Sequence, residues 1–203
     1  MIRNYLLTAY RSIMRYKGYS LINITGLAIG MACSILIMVW VMHELSYDRY
    51  NEKVDRTYRL VQTQYYSSGP LTTTCMPGPI ASDLVDQYPE IEDGFMFYYL
   101  PGTVVSHGEK KFNEDIRMAG PGIFRIFDFA FIAGDPSTAL NDLHSIVITR
   151  EMAEKYFPGA EAMGQVLRLN DEYNFKVTGI VENIPDNSSL TFDFCIPFEF
   201  LEE

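Results

Sequence analysis

Three histidines, three cysteines and a surplus of carboxylates are the side chains with which this 203-residue chain could do chemistry. His43, His107 and His144 fall in three unlike contexts: the end of an apolar run, a turn, and the approach to a strand. Such scatter does not build a metal site, which needs ligands on shared or adjoining elements. Glu90, Glu92 and Asp93 crowd the end of a predicted helix and read as solvated surface. A glycosidase-like acid pair would need a geometry that spacing alone does not supply. Cys75 and Cys195 could pair in an oxidising compartment, but nothing in the sequence brings them within reach. Cys33 lies inside the apolar run, and three cysteines are too few to build a disulfide framework.

Nucleotide and hydrolase signatures are absent. There is no G-x-x-x-x-G-K-[ST], no G-x-S-x-G and no H-E-x-x-H. Gly120-Pro121-Gly122 lacks the rest of a dinucleotide fingerprint and reads as a turn. Asn187-Ser188-Ser189 has the form of a glycosylation sequon, which means little if the host is bacterial. Aromatics make up 14% of the chain, with 14 Tyr and 13 Phe. Most of them suit packing on strands. Tyr65, Tyr66, Tyr98 and Tyr99 are candidates to line a surface for an apolar cargo or a partner protein.

The positioning elements begin with a membrane segment. Residues 19–42, YSLINITGLAIGMACSILIMVWVM, contain no Asp, Glu, Lys, Arg or His. As a helix they span about 36 Å, enough for a hydrocarbon core of roughly 30 Å. A cleaved signal peptide would have a shorter apolar run and a small-x-small cleavage site. This run ends in Trp40-Val41-Met42-His43-Glu44 and offers none, so an uncleaved anchor is expected.

Charge sets the expected orientation. Arg3, Arg11, Arg15 and Lys17 precede the span, and the first acidic residue is Glu44. The N-terminus is therefore predicted to be cytoplasmic and the acidic remainder to lie outside, in the periplasm of a bacterial envelope. The whole chain has 16 basic and 26 acidic residues, a net charge of −10, which argues against nucleic-acid binding. Residues 1–18 have Ile2, Leu6, Ala9 and Ile13 at helical spacing, with Arg3, Arg11 and Arg15 on another face. That pattern predicts an amphipathic helix on the cytoplasmic leaflet, with its cations at the lipid headgroups. Gly26, Gly30 and Ser34 form a small-xxx-small face, expected to pack against other membrane helices.

Residues 43–203 read as an α+β domain of six to eight short strands and three or four short helices, with two lobes allowed. Strands are expected at 57–66, 95–100, 103–106, 110–112, 145–149 and 190–196, with a hairpin of 165–169 and 173–181 across Asn170-Asp171-Glu172. Helices are expected from Pro79 to Tyr88, near Ile123–Phe127, after Asp135-Pro136, and over Arg150–Phe157. The final strand is expected to lie at an open sheet edge, and residues 198–203 to begin a helix that is not completed.

These segments resemble a known family. NYLLTAYRSIMRYKGYSLINITGLAIGMA followed by HELSYDRYNEKVDRTYRL is similar to the start of an ABC-transporter permease of the MacB/FtsX-like type, in particular those of Bacteroidetes-like bacteria. FRIFDFAFIAGDPSTAL, SIVITREMAEKYFPGAEAMGQVLRLN and FKVTGIVENIPDNSSLTFDFCIPF resemble the MacB-like periplasmic core domain. The resemblance implies a chain anchored in the bacterial inner membrane, non-enzymatic and without a cofactor of its own. ATP is expected on a separate cytoplasmic ABC ATPase subunit, whose motion is passed to the periplasmic domain. The partners implied are that ATPase, a second permease subunit in a dimer, the lipid bilayer, and a periplasmic adaptor or outer-membrane channel. The chain stops before the later helices of such a permease, so a truncated permease is expected, with the domain incomplete at its C-terminus. The alternatives are a membrane-anchored binding or sensor module without transport activity, and an anchored envelope enzyme that no motif supports.

Overall fold

The computed structural model describes residues 2–76 and 80–202. The chain divides into two compact units, Met1–Tyr47 and Asp48–Glu203. In the first, α1 (Ile2–Arg15) and α2 (Lys17–Glu44) meet at Tyr16, whose φ of −112° and ψ of 57° interrupt the helical path. α2 has no buried residue and is long and apolar enough to cross a membrane. Its hydroxyls bond back into the helix: Thr25 donates to the Leu21 carbonyl at 2.7 Å and Ser34 to that of Gly30 at 2.9 Å. Polar side chains without water satisfy themselves this way.

The second unit begins with a short 3₁₀ turn, Val54–Arg56, and a hairpin of β1 (Gln62–Tyr66) and β2 (Gly69–Thr73). α3 (Ile80–Gln87), β3 (Phe97–His107), β4 (Lys110–Ala119), α4 (Ile123–Ile126) and β5 (Phe131–Gly134) follow. Next come β6 (Ser145–Thr149), α5 (Arg150–Tyr156), β7 (Val166–Leu169), β8 (Tyr173–Val181), β9 (Phe194–Pro197) and a 3₁₀ turn, Phe198–Glu202. The large sheet runs β5-β8-β6-β9-β4-β3-β7, and β7 also pairs with β8. The sheet therefore closes on itself through β8, β6, β9, β4, β3 and β7. β6 runs parallel to β8, and β4 to β9; the other pairs are antiparallel.

Closure follows from strand alternation. Ile116 and Met118, Phe194 and Ile196, Phe175 and Val177, and Leu167 and Leu169 all face one enclosed core. Met152 and Tyr156 of α5 join it. The opposite face carries a second core of Ala119, Val147, Val181 and Cys195, covered by Ile123, Leu140 and Phe192. Phe124 lies edge-on to Phe131 at 4.9 Å and to Phe129 at 5.8 Å, the geometry aromatic quadrupoles favour.

Several expectations are corrected. The described residues hold nine strands, because β2 and β5 were not read from the sequence. Residues 57–61 are not strand: the Thr57 amide and hydroxyl turn back to Val54 and Lys53 at 3.3 and 2.8 Å, and only 62–66 has a pairing partner. Phe97–His107 is one strand, not two. Pro101 and Gly102 sit in a bulge opposite Asp115, with Gly102 at φ +69° and its amide on the Asp115 carboxylate at 3.2 Å. β4 continues to Ala119, well past Phe112, because β9 pairs along its second half.

After Asp135 there is a run of turns rather than a helix. The Asp135 carboxylate accepts from the Ser137 amide at 2.8 Å and its hydroxyl at 2.7 Å, a local turn that does not propagate. Of the 190–196 segment only residues 194–196 join the sheet, in a strand that runs on to Pro197 and lies between β6 and β4. The final strand is thus interior and not at an edge. The helix start read at Pro79 lies outside the described residues.

Candidate functional site

The histidines occupy three separate places. His43 stands edge-on to Tyr47 at 5.5 Å, His107 Nδ1 lies 3.0 Å from the Val166 carbonyl, and His144 packs 5.3 Å from Phe175. Among the described residues no three His, Cys, Asp or Glu side chains come together as a metal site. Cys195 is fully buried and Cys75 exposed, and both are free thiols. Burial pushes the Cys195 thiol far above its ordinary value. Glu92 pairs with Arg56 at 2.9 Å, and Asp93 forms a two-pronged ion pair with Arg125 at 2.5 and 3.0 Å. Thr149 accepts the Met152 amide at 3.5 Å, which makes it the cap of α5 rather than a nucleophile.

The densest polar contact lies where the second unit begins. Asp48, in the left-handed region at φ +57°, donates its amide to the Asn187 carbonyl at 2.9 Å and accepts the Ser189 amide at 2.8 Å. The Tyr50 and Ser188 hydroxyls are 2.7 Å apart. Asn51 is buried; its side-chain oxygen accepts the Asp128 amide at 2.9 Å and its amide group donates to the Asp48 carbonyl at 3.1 Å. The Glu52 amide donates to Asp128 at 2.6 Å, and Lys53 Nζ to the Arg125 carbonyl at 2.6 Å. Residues 48–53 thus form a strap fastened at two places, the end of α4 with the turn after it (125–128) and the loop 187–189. One leads into β5 and the other towards β9.

A second feature lies on the sheet. Arg117 lies 4.0 Å over the Tyr99 ring and donates to the Thr191 carbonyl at 3.1 Å. Tyr99 donates to Asp115 at 2.6 Å. That bond, with the Gly102 amide, holds the Asp115 carboxyl below its ordinary value and raises the Tyr99 hydroxyl. Asp115, Arg117 and Thr191 border a polar groove of about 330 Å³ that also takes in Glu151, Asn183 and Phe192. An arginine flattened on tyrosine beside a carboxylate suits recognition. Tyr65 and Tyr66 stand on the small hairpin and Tyr98 and Tyr99 on the large sheet, so the four tyrosines do not share a strand pair.

The profile of the MacB-like periplasmic core domain family matches residues 20–203. The chain belongs to this family. No curated protein matches it. A domain assigned to a permease of Porphyromonas gingivalis has the same fold at 23% identity and a TM-score of 0.55, over 70% of this chain and 64% of that one. The periplasmic region of MacB from Actinobacillus actinomycetemcomitans matches at 17% identity and a TM-score of 0.48, over 60% of this chain and 54% of that one. The chain therefore spans just under two thirds of the first relative and just over half of the second.

In this MacB-like core domain the strap was not legible as a site. Residues 48–53 carry no local signal for it, because their partners lie 72 to 141 residues away. Gly26, Gly30 and Ser34 lie on exposed α2, and a Cβ at either glycine would meet nothing within 4 Å. Arg3, Arg11 and Arg15 lie on exposed α1, with Lys17 at the start of α2.

Proposed function

We propose that the chain is the membrane-anchored periplasmic portion of an ABC-transporter permease. α2 crosses the bacterial inner membrane with its N-terminus in the cytoplasm, and the core domain works in the periplasm. A separate cytoplasmic ATPase binds the ATP, and its motion is passed outward to drive export or extraction of a substrate in the envelope. The face of Gly26, Gly30 and Ser34 packs against further membrane helices of the permease. A second permease subunit completes a dimer, with an adaptor or outer-membrane channel as the periplasmic partner.

One observation carries this reading: the first residues of the domain, Asp48 to Lys53, are fastened to the segment before β5 and to the loop before β9. A flexible tether would suffice for a domain that only binds. A strap with two points of attachment transmits displacement. The family and the basic-then-apolar-then-acidic order of the chain support the same reading.

The test is affinity isolation of the full chain from native membranes. An ABC ATPase subunit should co-purify, and substrate release should depend on ATP. Asn51→Ala should leave that complex assembled but uncouple ATP hydrolysis from substrate release. Isolation without any ATPase, with an envelope ligand bound regardless of ATP, would favour the binding-module alternative.

A further inference from the structure

We infer that the free edge of β1 pairs with β1 of a second copy of this chain, a step that rests on the dimer proposed above. Among the described residues β1 joins β2 alone. Ser67 and Ser68 make the turn between them, and Tyr66 and Gly69 close it as a backbone-bonded pair. The next pair, Tyr65 and Pro70, is therefore not bonded, which suits a proline with no amide to give. Thr63 and Thr72 form the following pair of that kind, and their hydroxyls lie 2.9 Å apart. The amides and carbonyls of Thr63 and Tyr65 thus point away from β2. Both residues are exposed, Tyr65 by 84%.

Exposed strand edges are usually blunted by a charge, a proline or a bulge. The outer edge of β2 lacks a donor at Pro70, and the β5 register is broken between Phe131 and Ala133. β1, Gln62–Tyr66, carries no charge, no proline and no break in register. Charge identifies the occupant. All 26 acidic residues and 12 of the 16 basic ones lie from Glu44 onward, so two copies of this domain repel each other. Leu60 to Ser82 contains no charged residue at all, and there the copies can meet without that cost. A strand rich in lysine or arginine would find no carboxylate on β1 or β2. Antiparallel pairing about Gln64 sets Thr63 against Tyr65 of the second copy, and each such pair exchanges two backbone bonds. Tyrosine beside a β-branched residue is a favourable cross-strand pair. Gln64 then faces its own copy on the two-fold axis.

The experiment is disulfide trapping of the full chain in detergent, beside light scattering on the unmodified chain. Cys33→Ser and Cys75→Ser leave only the buried Cys195 as background. In that background Gln64→Cys should give a covalent dimer under mild oxidation. A non-bonded antiparallel pair holds its Cα atoms about 4.5 Å apart, within reach of a disulfide. Leu71→Cys, opposite Gln64 on β2 and equally open to solvent, should stay monomeric on a denaturing gel, because β1 separates it from the axis. If the chain is a dimer but position 64 does not link, or links no faster than position 71, the β1 interface is wrong and the dimer stands. If light scattering shows a monomer, both fail.

Discussion

Asn51 and Asp128 hold the start of the domain from both sides of one peptide unit. The Asn51 side chain accepts the Asp128 amide at 2.9 Å, and the Asp128 carboxylate accepts the amide of Glu52, the next residue, at 2.6 Å. Each residue caps a backbone group of the other's segment. Asn51 is 4% exposed, so its bond from the Asp128 amide cannot be replaced freely by water.

Asn51→Ala should lower stability by about 1–3 kcal/mol, the cost of an orphaned buried amide. Denaturant unfolding of the full chain in detergent, followed by near-ultraviolet circular dichroism, measures it. Glu52→Ala keeps its backbone amide and should be near neutral. Equal losses for the two would show that the bond to the Asn51 side chain does not matter.

Acid should loosen the loop that carries the strap. Burial alone would raise the Asp93 carboxyl, but Arg125 and the Gly94 amide outweigh it and hold the group below its ordinary 3.8. A carboxyl depressed on folding stabilises the fold above its unfolded value and loses that contribution as the pH falls. The contribution is therefore complete above about pH 4 and disappears below it. Arg125→Gln removes the counter-charge, so its acid-unfolding midpoint should move to higher pH. An unchanged midpoint would remove Asp93 from the account.

Two glycines should respond differently to alanine. At Gly134, with φ +91°, a Cβ would lie 2.4 Å from the Thr178 carbonyl oxygen, where β5 meets β8. Gly134→Ala should cost about 3 kcal/mol, steric overlap and backbone strain together. At Gly159, with φ +72°, a Cβ would meet nothing within 4 Å. Gly159→Ala should cost only about 1 kcal/mol. Thermal unfolding of the two variants side by side measures the difference.

Thiol chemistry should separate buried from exposed cysteines. Cys195 is enclosed between β4 and β6 and is held protonated by burial, whereas Cys75 is exposed. Maleimide should modify Cys75 in the folded protein and Cys195 only after denaturation. Mass spectrometry of the labelled peptides reads the result, and rapid labelling of Cys195 would contradict the closed sheet.

Gly30→Leu should leave the core domain folded while lowering recovery of the complex with its membrane partners. The glycine has open space beside it in this chain, so any loss must come from a neighbouring helix. Pull-down yield with unchanged domain circular dichroism is the measurement. Wild-type yield would show that the small-residue face is unused.

Local patterns were sufficient wherever one element carried its own signal. The uncharged run over 19–42, the β-branched Ser145–Thr149, the helix after it and the hairpin around Asn170 and Asp171 were legible because periodicity and turn chemistry act over a few residues. The family resemblance was legible too, since it rests on segments in order along the chain.

Long-range pairing was decided only by the tertiary structure. β9 looks like an edge strand in sequence but lies between β6 and β4, because two other strands offer their backbone groups to it. Pro101 and Gly102 look like a break but become a bulge, because β4 continues alongside. The strap joins Tyr50 to Ser188, 138 residues away. No local rule records such partners, because a backbone amide or a buried asparagine is satisfied by whatever the folded chain brings to it. The sequence alone determined a basic end, an apolar helix and an acidic α+β domain. Tertiary structure decided that the sheet closes and that residues 48–53 are bound at two points to segments that precede β5 and β9.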